Sequence, residues 1–122
     1  MRYMLLVYTN EAEMERASPE LMDRVAHGHR VVMEEARRAG VFVAADPLAP
    51  TTSATTVRLV DGQSLVIDGP FAETKEQLAG YYILECPNLD EAIDWARRLP
   101  TECGGGIGSV EIRPMRFQER RG

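Results

Sequence analysis

The chain has 122 residues, 44% of them hydrophobic, which is enough for one two-layer core and too little for two independent ones. Its formal net charge of -5 argues against nucleic-acid binding, which needs a basic stripe; only Arg113, Arg116, Arg120 and Arg121 make a locally basic tail. Two cysteines, Cys86 and Cys103, are too few for a disulfide scaffold and lack metal-ligand spacing, so both are expected as free thiols in a reducing, cytoplasmic setting.

Residues 3–8 form a short apolar run bounded by polar residues, the pattern of a strand buried on both faces. Thr9, Asn10 and Glu11 end the run well short of a signal peptide or membrane span, so no membrane association is expected. Residues 11–17 read as an acidic connecting loop. Ser18-Pro19-Glu20 is a helix start: Ser18 can accept from an orphan amide, and Pro19 has φ already set for the first turn. That helix is expected to reach Arg38 or Ala39 and to stop at Gly40. Residues 41–44 follow as a strand, closed by Asp46-Pro47 and Pro50. Residues 55–60 and 63–68 pair as a hairpin around Asp61-Gly62, a strong turn signal. Residues 78–86 make a long strand. Asn88, with Glu91 three residues later, opens a second helix that Pro100 closes. After Gly104-Gly105-Gly106, expected to be flexible, residues 109–113 alternate as a last strand and end at Pro114.

This order predicts a single α+β domain over residues 1–122, a ferredoxin-like sandwich with an inserted β-hairpin. Two helices can cover one face of such a sheet. Yet Tyr3, Leu5 and Val7 alternate with Met4, Leu6 and Tyr8, and Tyr81 and Ile83 alternate with Tyr82 and Leu84, so both faces are apolar. The economical cover for the second face is another copy of the same sheet, which predicts a homodimer packed through its sheets. The alternative is a monomer whose loops and tail cross that face.

Several residues are candidates for chemistry. His29 falls in the apolar stripe of the first long helix, among Leu21, Val25, Val32, Met33 and Ala36; an imidazole there is either a satisfied core group or faces a pocket. Asp68 sits at a strand end fixed by Gly69 and Pro70, where it either caps the following turn or takes a catalytic or ligand-binding role. Phe71 is expected as a core plug more than as a stacking surface. Glu73, Lys75 and Glu76 read by default as a solvated charged turn. Glu111 and Arg113 share one face of the last strand, either as an ion pair or with Arg113 offering a guanidinium fork to a substrate carboxylate. Tyr8 and Tyr81 can line the same surface. Neither His27-Gly28-His29 nor the cysteines form a metal cage, and Gly104-Gly105-Gly106 lacks the features of a phosphate loop, so no metal or cofactor is expected.

The run Asp68-Gly69-Pro70-Phe71-Ala72-Glu73-Thr74-Lys75-Glu76, with Gly80-Tyr81-Tyr82, Glu91-Ala92-Ile93-Asp94-Trp95-Ala96 and Val110-Glu111-Ile112-Arg113-Pro114, resembles the DGPF branch of the YCII-related proteins. The resemblance implies a small dimeric α/β-barrel protein, related in fold to muconolactone-type isomerases and to a dehydrochlorinase. It also implies a site containing a helix histidine three turns before a helix-ending glycine, matched by His29 and Gly40, together with an acidic partner. Glu73 or Lys75 would belong to a polar site. Because some members are encoded beside sigma factors of the extracytoplasmic-function class, such a factor is a further implied partner.

The expected function is cofactor-independent acid-base chemistry, an elimination or isomerisation of a small organic acid. His29 would transfer the proton and Asp68 or Asp46 would orient it, while Tyr8, Asp46, Phe71, Glu73, Lys75, Tyr81 and Arg113 would contact the substrate. The rival expectation is a non-catalytic ligand-binding or regulatory module.

Overall fold

The computed structural model describes residues 1–101 and 108–116. Cys103, Gly104-Gly105-Gly106, Arg120 and Arg121 lie outside the described residues. Strand β1 spans Arg2–Thr9 and is followed by helices α1, Glu11–Arg16, and α2, Pro19–Arg38. Strand β2 is Phe42–Pro47, and a 3₁₀ turn at Thr51–Ser53 leads into β3, Thr55–Val60, and β4, Gln63–Asp68. Strand β5, Gln77–Glu85, then precedes α3, Leu89–Arg97, and β6, Gly108–Pro114.

Four strands form one antiparallel sheet in the order β2-β5-β1-β6, with the two long helices on one face. This is the α+β ferredoxin-like arrangement expected from the order of elements. The core lies between sheet and helices. Tyr3, Leu5, Val7, Tyr82 and Leu84 point into it from the sheet, Val32 and Ala36 from α2, and Ala92 from α3. Leu5 and Leu84 are almost wholly removed from water, a burial that stabilises by roughly 1.5–3 kcal/mol per side chain.

The helix ends follow from their capping residues. The Ser18 hydroxyl accepts from the Leu21 amide at 3.1 Å with Pro19 in the first turn, and the Asn88 side chain accepts from the Glu91 amide at 3.0 Å. Arg37 and Arg98 lay their guanidinium groups over Phe42 and Trp95, at 4.5 and 4.6 Å from the ring centres. Arg98 also pairs with Glu35, linking the end of α3 to α2.

Three expectations need correction. Residues 11–17 are not a loop, because Asn10 accepts from the Glu13 amide and caps the short helix α1. The second strand runs on through Asp46 to Pro47, with a bulge at Val43, since Asp46-Pro47 continues the ladder against Tyr81 and Gly80. Phe71 is no core plug: it is 76% exposed.

The hairpin turns at Asp61 and Gly62, both at positive φ, and among the described residues its strands pair only with each other. Cross-strand partners share a face, so Val57, Val66 and Leu59 lie together with Asp68 on one side. Those three apolar residues are 64%, 71% and 78% exposed.

Candidate functional site

Tyr81 and Tyr82 are consecutive in β5 and therefore project from opposite faces of the sheet. Each hydroxyl has a side-chain partner, and the two partners define two separate polar centres.

On the helix-covered face, His29 Nδ1 lies 2.6 Å from the Tyr82 hydroxyl, and the two rings stack with centres 5.9 Å apart. Helix α2 reaches this position because Gly28 has no side chain: a Cβ there would stand 3.0 Å from the Pro100 ring. Burial lowers the His29 pKa, and a hydrogen bond to the Pro100 backbone partly offsets that shift. Burial raises the Tyr82 phenol to about 12. A neutral imidazole that gives its proton to the Pro100 carbonyl and accepts from Tyr82 at Nδ1 meets every demand of the pair. No carboxylate bonds to His29 among the described residues.

Among the described residues, the opposite face carries no helix. Strand pairing places Met4, Leu6 and Tyr8 of β1 beside Tyr81 and Ile83 of β5 on one side, and beside Ser109, Glu111 and Arg113 of β6 on the other. Asp46 of β2 stands opposite Tyr81 and accepts from its hydroxyl at 2.7 Å. That bond, ahead of burial, raises the Tyr81 pKa. Tyr8 donates to Glu111 at 3.2 Å, and burial followed by the Glu111 bond raises its pKa. The Arg113 guanidinium lies 3.9 Å from Glu111 and is largely exposed. Tyr8 is two positions beyond Leu6, the residue opposite Tyr81, so the two tyrosines are diagonal neighbours at roughly 7–8 Å.

Backbone irregularities shape this face. At Gly80 a Cβ would fall 2.8 Å from the Asp46 carbonyl oxygen, so glycine allows the end of β2 to close on β5 and bring Asp46 to Tyr81. The ladder skips Ala79, whose carbonyl accepts from the Leu48 amide at 2.8 Å. Bulges of this kind often re-aim side chains beside functional sites.

A polar clasp holds the rim. Glu11 accepts from both the amide and the hydroxyl of Thr51, at 2.8 and 2.6 Å, and its own amide donates to Gln77 Oε1 at 2.9 Å. The Gln77 side chain donates in turn to the Thr74 carbonyl at 2.6 Å, and Ser109 donates to Glu76 at 3.0 Å. The second half of the 68–76 segment is thereby tied to α1, β5 and β6, and Glu76 and Gln77 act as its fasteners.

Of the residues singled out from the sequence, Tyr8, Asp46, Tyr81 and Arg113 share the open face. His29 is on the other side of the sheet from Asp46. Asp68 ends β4, exposed and without a side-chain partner among the described residues, and Phe71, Glu73 and Lys75 are exposed in the loop that follows. Sequence reasoning missed Tyr82 as the partner of His29, and it missed the Glu11, Thr51 and Gln77 clasp. Alternation along Gly80-Tyr81-Tyr82 signalled the first; nothing local signalled the second, which joins segments 40 and 66 positions apart.

An open groove of about 340 Å³ between α3 and β6, lined by Ile93, Ala96, Leu99 and Val110 among others, contains none of these candidates. Among the described residues no group of three or more His, Cys, Asp or Glu side chains could hold a metal ion, and no helix is long and apolar enough to cross a membrane.

The family model of the YCII-related domain matches residues 1–116. An uncharacterised protein of Rhizobium meliloti (strain 1021) is 42% identical over 115 residues, which are 94% of this chain and 92% of that relative.

Proposed function

Because the chain belongs to the YCII-related domain family, and because its open sheet face gathers polar groups around an apolar centre, we propose that this face binds a small organic acid between two copies of the chain. The observation that carries the proposal is the grouping of Arg113, Tyr8, Tyr81 and Asp46 on the sheet face that, among the described residues, no helix covers. Arg113 supplies a guanidinium fork for the ligand carboxylate, and Met4, Leu6 and Ile83 supply apolar contact for its carbon skeleton.

The reaction that suits these groups is a proton transfer. On an unsaturated acid, Asp46 takes a proton from the carbon beside the carboxylate, the Tyr81 hydroxyl turns from the now protonated Asp46 to the charge that develops, the carbon-carbon double bond shifts, and Asp46 returns the proton at the far end of the shifted system to complete an isomerisation. Atoms and electrons balance without an oxidant or reductant. His29 supports this site only indirectly, by fixing Tyr82 on the reverse side of the same strand.

The test is ligand-dependent thermal stabilisation across a panel of small mono- and dicarboxylic acids. Arg113→Ala and Asp46→Asn are expected to abolish the stabilisation produced by any acid that binds, while His29→Gln with an intact fold retains it. Loss of the ligand response in folded His29→Gln, with Asp46→Asn unaffected, would return the site to the helix face and overturn the proposal.

A further inference from the structure

Glu111 and Arg113 stand two positions apart on the open side of β6, and their charged groups face each other at 3.9 Å, beyond the reach of a hydrogen bond. A carboxylate has several lone-pair positions. On Glu111, Oε1 accepts from the Tyr8 hydroxyl at 3.2 Å, while Oε2 is the oxygen turned toward the guanidinium. Tyr8 thus acts as a positioning residue. Burial and then the Glu111 bond raise its pKa, so the phenol keeps the proton that it donates. The corner presents hydrogen-bond donors on Arg113 and, directly beside them, acceptor positions on Glu111 Oε2.

This arrangement discriminates among acids. A plain carboxylate bound to Arg113 meets the like charge of Glu111, which weakens its binding. A hydroxyl on the carbon beside that carboxylate reverses the sign of the contact, because it donates to the same Glu111 oxygen. The carboxylate and hydroxyl oxygens of such an acid lie about one hydrogen-bond length apart, which lets them bridge the gap between guanidinium and carboxylate. An ammonium in the place of the hydroxyl would also satisfy Glu111, but it would stand against the Arg113 cation.

We infer that Glu111 determines the specificity of this face and that the ligand is an α-hydroxy acid, with its carboxylate on Arg113 and its hydroxyl donating to Glu111 Oε2. The inference rests on the ligand-site reading above and deepens it by naming the group that the acid carries beside its carboxylate.

The experiment measures dissociation constants by calorimetry for two matched pairs, lactic against propionic acid and vinylglycolic against vinylacetic acid, whose members differ only by the hydroxyl. Wild type is expected to bind each hydroxy acid about tenfold or more tightly than its partner. Glu111→Ala, checked for fold by circular dichroism, is expected to bring the members of each pair within about twofold of one another, the plain acids gaining and the hydroxy acids losing. Glu111→Gln, which keeps an acceptor without the charge, is expected to tighten the plain acids while retaining part of the preference. Equal binding within the pairs in wild type, or a preference that survives Glu111→Ala, would overturn the inference and leave the ligand site standing, provided that Arg113→Ala and Asp46→Asn still abolish binding. Binding of unsubstituted acids alone would overturn it in the same way. No response to these four acids or to the wider carboxylic panel would remove the ligand site and the inference together.

Discussion

Tyr82 bonds to His29 beneath the helices while its neighbour Tyr81 bonds to Asp46 on the bare side of the sheet. Strand alternation therefore separates the imidazole from the Asp46 carboxylate by the thickness of the sheet. A histidine-aspartate couple of the kind expected from the family resemblance is not what these two residues form in one chain; His29 works with a phenol.

That pairing sets the effect of deleting either partner. His29→Ala leaves the buried Tyr82 hydroxyl unsatisfied and opens a cavity, which should destabilise by about 2–4 kcal/mol. Tyr82→Phe should cost about 1–2 kcal/mol. A double-mutant cycle by urea unfolding should give a coupling of about 0.5 kcal/mol or more, because the two changes remove the same bond.

The depressed His29 pKa also predicts a pH dependence. With a folded pKa below the ordinary 6.5, the unfolded chain binds the proton first, so this contribution is complete above pH 6.5 and is lost as pH falls toward the folded value. Unfolding free energies measured between pH 5 and 7.5 should rise with pH, and the His29→Gln protein should show a shallower slope over that window.

Gly80→Ala tests the close approach of β2. The added methyl would meet the Asp46 carbonyl oxygen at 2.8 Å, a backbone atom that cannot swing aside, so β2 must shift. The expected loss is about 1–3 kcal/mol. It should be accompanied by a fall in the Tyr81 phenol pKa toward its ordinary value, followed by ultraviolet titration, because the bond it donates to Asp46 is what chiefly raises it. Asp46→Asn should produce the same spectroscopic change without the strand displacement.

Glu11→Ala should release the rim. Thr51 loses acceptors for both its amide and its hydroxyl, at a cost of about 1–2 kcal/mol. Hydrogen exchange should accelerate at the Thr51 amide while the central β1 and β5 amides remain protected.

The regular part of the fold was legible in the sequence because its signals are local. Ser18-Pro19, Asn88 with Glu91, and Asp61-Gly62 each set a backbone boundary by capping or turn chemistry, and alternation through residues 3–8 marked a two-sided strand. Acidic composition disguised α1, whose start depends on the single cap at Asn10. The site was half legible. Tyr8, Tyr81 and Arg113 were read on strands and Asp46 just beyond one, and that Asp46 comes to the Tyr81 side depends on the bulge at Val43, which no composition rule marks. Phe71 misled because aromatic character alone says nothing of what surrounds a loop.

Ala79 shows how the chain separates two tasks at one position. Removing it would leave Leu78 still facing Tyr8 and Gly80 still facing Val7, so both tyrosines would keep their sides and the ladder would become regular. What would vanish is the carbonyl that catches Leu48 as the chain leaves the sheet for the β3–β4 ribbon. The shortened protein should therefore retain a sound platform while its outgoing limb loses a mooring, so that spectroscopy of the tyrosines and mobility of the ribbon part company.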